Sequence, residues 1–379
     1  MRNIPKAKGI EKQRRKDAIA RAKQVAKQVK KAQKTAVKKT RQLIESQPAD
    51  WTADPRELLR VPADFELAKF NRAGTPGWEA GKKPGKKMMK RRAELMAELQ
   101  ERLYAQSKEG ASDALLVVVQ GLDTAGKGGV ARHVISQVDP QGIHLKAFKA
   151  PTEEERQHHF LWRVERELPK PGIIGLFDRS HYEDLLVPTA QARSGHTDGK
   201  GRSWVVSEDE LNSRYHDIYE MEKAAIERGT RVLKFCLMVS YEEQGKRLRE
   251  RLDRPDKHWK YSPHDLDVRD DWSAYQDTYE EILRRTSTEI APWYVIPADR
   301  KWYVRLVITE IITRTLADMD PQWPTANFDI EREKARLALT MTDEALVEYQ
   351  AERVDMLAKV AAEEAEIKTR ASWLRNDGK

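Results

Sequence analysis

The sequence has one cysteine, no long apolar run and few acids in its first fifty residues. Each scarcity excludes something. A lone Cys236 forbids an internal disulfide. Its setting, "VLKFCLMV", reads as a buried strand, so a packed thiol is expected rather than a reactive one. No stretch approaches the roughly 18 uncharged apolar residues that a membrane-spanning helix needs. The N-terminus shows no apolar signal segment, which makes the cytoplasm the default setting. No Ser/His/Asp triad, no Cys/His metal cluster and no internal repeat stands out. What is present is charge, unevenly spread, and one glycine-rich stretch.

Residues 1–50 hold 16 Lys/Arg against 4 Asp/Glu, a local charge of +12. The whole chain carries +8, so the rest is net −4. The basic character therefore belongs to an extension, and it fits a polyanionic partner, nucleic acid or another. Residues 1–45 are rich in Lys, Ala and Gln. Helix propensity is good there, but apolar residues are too few for an independent core. A helix that forms when an anion neutralises the lysines is expected. A connector broken by Pro and Gly follows. From Lys87 to Ser107 the helical pattern returns, with Met88, Leu95, Leu99 and Leu103 on one face.

Strand and helix then alternate. "ALLVVVQ" (114–120) is a continuous apolar run, as in a central parallel strand. Further strands are expected at 143–148, 172–177, 231–239 and 293–298. Helices are expected after each turn. Thr152/Glu155, Ser207/Glu210 and Ser240/Glu243 have capping-box spacing, and a polar loop is expected over 188–206. This alternation predicts an α/β fold, a mostly parallel sheet flanked by helices. The division expected is a basic extension (1–50), a connector and helix (51–112), an α/β domain (113–320) and a C-terminal helical extension (321–379). In the last, Leu346, Tyr349, Leu357 and Val360 form a stripe suited to packing on the domain or a second subunit.

Gly121-Leu-Asp-Thr-Ala-Gly126-Lys127 fits the G-x-x-x-x-G-K template of a phosphate-binding loop. It follows a buried strand and opens a helix, the context the template demands. Backbone N–H groups of Gly121, Thr124, Ala125, Gly126, Gly128 and Gly129 would cradle phosphate oxygens, and Lys127 would reach a transferable phosphate. Gly128 stands where such loops usually place a Ser or Thr to hold magnesium. The metal then needs other hard ligands. Asp123, in the loop, and Asp178, ending the third strand, lie at the strand ends where α/β sheets bind ligands. They are the candidate metal ligands. Arg179 follows, placed to pair with phosphate in forked geometry. His181 and Tyr182 either line a base pocket or pack.

Residues 244–265, "QGKRLRERLDRPDKHWKYSPHD", form a cationic helical hairpin. Arg247 and Arg251 share a helix face, and Lys257 and Lys260 lie in the connection. Such a hairpin, about 241–268, can close over an anionic substrate. Phosphoryl transfer needs positioning and neutralised charge more than covalent chemistry, and these residues supply both.

Six stretches in order, "GLDTAGKGG", "KAFKAPTEEE", "FLWR", "GLFDRSHYEDLLVP", "RLDRPDKHWKYSP" and "RTSTEIAPWYVIPADRKWYVRL", resemble the polyphosphate kinase 2 family over roughly Leu58 to Ala317. The resemblance implies a thymidylate-kinase-like P-loop fold with a helical lid, and Mg2+ or Mn2+ as cofactor. It implies inorganic polyphosphate as phosphate donor and adenine or guanine nucleotides as acceptors. Asp123, Lys127, Asp178 and Arg179 take the catalytic positions. Lys149 is a further phosphate-binding candidate, and the lid arginine is Arg247 or Arg251. Family members that accept monophosphates tend to carry Glu at the position of Glu183, which implies AMP as well as ADP. A homo-oligomer, dimer or tetramer, is also implied. The basic first 45 residues exceed the family's usual core and suit polyphosphate and nucleic acid equally. An ordinary ATP-dependent nucleoside monophosphate kinase is the alternative enzyme. A nucleic-acid-binding protein acting through its basic tail is the alternative of another class.

Overall fold

The computed structural model describes residues 23–42, 51–195 and 207–376. They fall into two compact units. One is 50–324; the other joins 1–49 with 325–377. No helix among the described residues is long and apolar enough to cross a membrane.

The larger unit is built on five parallel strands: β1 (Ala114–Gln120), β2 (Ile143–Ala147), β3 (Ile174–Asp178), β4 (Thr230–Met238) and β5 (Trp293–Pro297). Their order is β2-β3-β1-β4-β5. All seven residues of β1 are buried, as a central strand covered on both faces requires. At the edge, β2 is only half-buried. In register, Val119 lies beside Asp178 on one flank and beside Phe235 on the other. All five strands therefore end on one edge of the sheet.

Helices cover it. In the smaller unit a helix, α1, spans 23–42. The larger unit adds α2 (Pro55–Leu59), α3 (Lys82–Ser107), α4 (Lys127–His133), α5 (Trp162–Glu165), α6 (Glu183–Arg193), α7 (Glu208–Glu227), α8 (Tyr241–Asp253), α9 (His264–Asp270), α10 (Trp272–Thr286) and α11 (Lys301–Met319). The smaller unit is completed by α12 (Ile330–Ala338) and α13 (Asp343–Asn376). The expected face of α3 is its buried face: Met88, Leu95, Leu99 and Leu103 are all inside. It packs on α11, where Arg92 and Arg314 both pair with buried Glu310.

Two of the expected capping boxes start helices through the serine half alone, the Ser240 N–H donating to Asp299 Oδ1 (2.7 Å) instead of to Glu243. Ser207 Oγ accepts from Glu210 N (3.1 Å), and Ser240 Oγ from Glu243 N (3.2 Å). The third, at Thr152 and Glu155, closes in both directions but opens only a 3₁₀ turn, Glu155–Gln157. No residue of that turn is buried, so nothing favours elongating it. The loop expected from 188 begins later, because α6 continues through Pro188 to Arg193. Buried Leu185, Leu186, Thr189 and Ala190 hold it helical across the proline. The rest of that loop, 196–206, lies outside the described residues.

The lysine-rich segment is helical over 23–42, in line with its propensity. Gln28, Lys31, Ala32, Thr35, Ala36, Lys39 and Thr40 share a groove with Ala362 and Glu366 of α13. The stripe expected on α13 is not what is buried: Tyr349 and Val360 are exposed, and Leu357 is half-buried. The side chain of Leu346 lies outside the described residues. Burial falls on Ala361, Ala371 and Leu374. At 1.5 Å per residue α13 is about 51 Å long and α1 about 30 Å, so much of α13 runs past its partner.

Candidate active site

The chain leaves β1 through a turn only glycine can make. Gly121 has φ 144°, and a Cβ there would sit 2.7 Å from the Leu237 carbonyl oxygen. Gly126 (φ 122°) then opens α4. Between them Thr124 holds φ 68°, and after β3 Arg179 holds φ 65°. Both are left-handed non-glycine positions, which cluster at functional sites. At Gly128 and Gly129 an added Cβ would meet nothing within 4 Å. The fold does not require glycine at either position.

Arg179 crosses from the end of β3 to the loop after β1. Its Nη2 donates to Asp123 Oδ1 at 2.8 Å, and Nη1 lies 3.7 Å from Glu183. Burial opposes ionisation of Asp123, but Lys127, Arg179 and Arg251 outweigh it and hold the carboxyl below its usual range. Burial likewise opposes the charge of Arg179, and Glu183 and Asp123 outweigh it, holding the guanidinium charged. At Glu183 burial prevails over Arg179 and Lys127, and its carboxyl is raised. Lys127 Nζ folds back on the loop and donates to the Gly121 and Leu122 carbonyls, at 2.5 and 3.3 Å.

Asp178 ends β3, in register with Val119 and Ala147. Asp123 and Asp178 thus belong to adjacent strand ends. No group of three or more His, Cys, Asp or Glu is gathered for a metal among the described residues. That donor set suits a cation that takes one or two carboxylates and completes its shell with phosphate and water, as Mg2+ does. It does not suit an all-protein cage.

The two lid arginines separate. Arg247 is buried, with its guanidinium turned to the backbone. It donates to the carbonyls of Thr124 (2.9 Å), Ala298 (2.8 Å) and Asp299 (2.9 Å), and to Glu243 (2.8 Å). It braces the phosphate loop from behind. Arg251, only partly buried, donates to the Lys260 carbonyl (2.8 Å) and to Asp265 of α9 (3.0 Å) and is near enough to Asp123 to favour its ionised form. Lys257 pairs with Glu250, and exposed Lys260 lies over the Trp259 ring. Lys149 is exposed, and its carbonyl accepts from Arg163 at 2.8 Å.

His181 and Tyr182 pack. His181 is fully buried and stacks at a tilt on Tyr182. Tyr182 joins a buried network: Lys234 Nζ donates to its hydroxyl (2.9 Å), to Glu222 (2.8 Å) and to the Thr286 carbonyl (2.8 Å). The Tyr182 hydroxyl donates to Glu222 at 2.8 Å. This lock fixes the segment carrying Arg179 and Glu183. Cys236 is a free buried thiol whose ionisation burial suppresses.

One contributor escaped the sequence reading. With its amide oriented to satisfy both neighbours, Gln120 donates to Glu183 Oε1 (2.8 Å) and accepts from Ser180 Oγ (3.0 Å). The signal was a polar residue closing an otherwise apolar strand.

The Polyphosphate kinase 2 (PPK2) family model matches residues 80–324. An "AMP/ADP-polyphosphate phosphotransferase" of Meiothermus ruber is 39% identical over 267 residues, 70% of this chain and 94% of that protein. An "ADP-polyphosphate phosphotransferase" of Rhodopseudomonas palustris is 37% identical over 259 residues, 68% of this chain and 88% of the relative. The crystal structure of Polyphosphate Kinase 2 from Arthrobacter aurescens superposes with a TM-score of 0.71 at 42% identity, covering 76% of this chain and 98% of that one. A phosphate loop on the central strand, a carboxylate at the next strand end and a cationic hairpin beside them agree with these likenesses: the chain belongs to the polyphosphate kinase 2 family.

Proposed function

We propose that this enzyme transfers phosphate from inorganic polyphosphate to nucleoside mono- and diphosphates, carrying AMP and ADP to ATP. The observation that carries the reading is the bridge from Arg179 to Asp123. It sets the phosphate loop and the end of β3 side by side as one anion-binding edge. Family membership supplies the donor class, and the relatives' names supply AMP and ADP.

Backbone N–H groups of the loop would hold the phosphate chain, Lys127 would swing from its carbonyls onto the transferred group, and Arg179 would fork onto the acceptor phosphate. Arg251, rather than Arg247, is the lid arginine that would reach substrate, because Arg247 is occupied by the backbone. Lys149, Lys257 and Lys260 add positive potential around the entrance. Asp123 and Asp178 would hold Mg2+ or Mn2+, which neutralises charge developing on the phosphoryl oxygens. The acceptor phosphate is already ionised at neutral pH, so no strong general base is needed. Glu183 would favour the shorter acceptor, as its family position implies. Assembly into a dimer or tetramer is carried over from the resemblance and is read by light scattering.

The test is direct. The purified chain is incubated with Mg2+, polyphosphate and AMP without ATP, and products are separated by chromatography. ADP and ATP should both appear. ATP from ADP but nothing from AMP would overturn the role of Glu183. Turnover only with ATP as donor would overturn the reading itself.

A further inference from the structure

The eight cations of α1 are not scattered around it. Between 23 and 42 there are Lys23, Lys27, Lys30, Lys31, Lys34, Lys38, Lys39 and Arg41, with no Asp or Glu. At 3.6 residues per turn, all but Lys39 fall within an arc of about 100°. From 23 to 41 they form a stripe about 27 Å long. Every one is exposed, and none is ion-paired among the described residues. Gln28, Lys31, Ala32, Thr35, Ala36, Lys39 and Thr40 line a groove with Ala362 and Glu366 of α13, so two of the eight cations border that groove. The other six, Lys23, Lys27, Lys30, Lys34, Lys38 and Arg41, lie outside it and within an arc of about 80°.

This arrangement works against the helix. Lys23/Lys27, Lys27/Lys31, Lys30/Lys34 and Lys34/Lys38 are like charges at i,i+4, each of which destabilises a helix. Interspersed glutamates would have relieved the repulsion and kept the segment soluble. A one-sided line of cations is the complement of a single-file polyanion, which would relieve the repulsion by releasing its own counterions. Single-stranded nucleic acid is held through aromatic side chains on which bases stack, and α1 has none. Inorganic polyphosphate has no base to read and one negative charge per phosphate.

We infer that the cationic stripe of α1 is a second polyphosphate-binding surface, which keeps long-chain donor attached to the enzyme while its end is consumed. The inference rests on polyphosphate being the donor. Because α1 and the phosphate loop belong to one chain, holding the polymer at one raises its effective concentration at the other. Long donors benefit; donors too short to engage both do not.

The experiment uses the full chain carrying Lys27→Gln, Lys30→Gln, Lys34→Gln and Lys38→Gln together. Glutamine keeps helix propensity and removes charge. KM for long-chain polyphosphate should rise roughly tenfold with kcat held. Its slope against salt on logarithmic axes should fall by about three, at 0.7–0.9 per lost contact. KM for a short-chain polyphosphate should not move, and Lys→Arg at the same four positions should restore the parent's behaviour. An active parent with the same long-chain KM as the variant overturns the inference and leaves the donor reading standing. So does a variant that loses labelled DNA while long-chain kinetics stay unmoved, which makes the stripe a nucleic-acid surface. No turnover of the parent with polyphosphate of any length overturns the donor reading instead.

Discussion

Arg179 Nη2 donates to Asp123 Oδ1 at 2.8 Å, joining two residues 56 positions apart in sequence. One follows β1, the other follows β3, and the strands are neighbours. The pair ties the loop after β1 to the end of β3. Asp123→Asn should lower transfer by on the order of a hundredfold or more, because it removes a proposed metal ligand, and Lys127→Ala likewise, because it removes the cation aimed at the transferred group. Melting should shift by only a few degrees. Near-parental rates with unchanged melting would refute the assignment.

The two lid arginines should fail differently. Arg247→Ala leaves the Thr124, Ala298 and Asp299 carbonyls without their donor in a buried setting, at a cost of about 1–3 kcal/mol per unsatisfied group before relaxation. The midpoint of denaturant unfolding should drop clearly, and kcat with it. Arg251→Ala should be the milder for stability and the greater for donor KM. Equal midpoints for the two would contradict the division.

Gly128 and Gly129 stand in the first turn of α4 with open space where a side chain would go. Alanine in a helix is about 0.5–1 kcal/mol better than glycine. Gly128→Ala and Gly129→Ala should therefore match or exceed the parent in calorimetry. If the glycines serve phosphate approach, kcat/KM should still fall, roughly tenfold. A stabilised and fully active variant would leave them without that role.

Glu183 carries a pH signature. Burial raises its carboxyl, outweighing Arg179 and Lys127. The folded state then binds its proton more tightly than the unfolded state does. Stability is full below the unfolded value of about 4.3 and declines as pH rises through the folded one. Glu183→Gln removes that decline, so it should melt no lower than the parent at pH 7, with the advantage gone near pH 4. Asp123, held low, has the opposite sign: its stabilisation exists above about 3.9 and is lost as pH falls through the folded value. If Glu183→Gln compares worse with the parent at pH 7 than at pH 4, the argument for Glu183 is wrong.

The Lys234–Glu222 pair should be costly to break and cheaper to delete. Lys234→Met alone leaves a buried carboxylate unpaired, about 3–5 kcal/mol. Adding Glu222→Leu should recover part of it. Thermal melts of both singles and the double give the coupling. Additive losses would show the pair to be uncoupled.

The strands were legible because four are largely apolar runs and the edge strand β2 alternates, each bounded by turn residues, and all five fall within a residue or two of expectation. The phosphate loop was legible because its chemistry is local: glycines and a lysine at fixed spacing between strand and helix. Asp178 and Arg179 could be named as candidates because parallel strands end on one edge. Choosing between Arg247 and Arg251 was beyond the sequence. Both lie on one face of one helix, and only three-dimensional packing brings the Thr124 and Asp299 carbonyls to one of them. Gln120 and Lys234 were hidden for the same reason, and the choice between pocket and packing for His181 was open for it: a buried polar group is defined by the partners around it, and those come from other elements. The setting of the lysine-rich segment is tertiary too: its helix borders a groove with α13, a segment more than three hundred residues away in sequence.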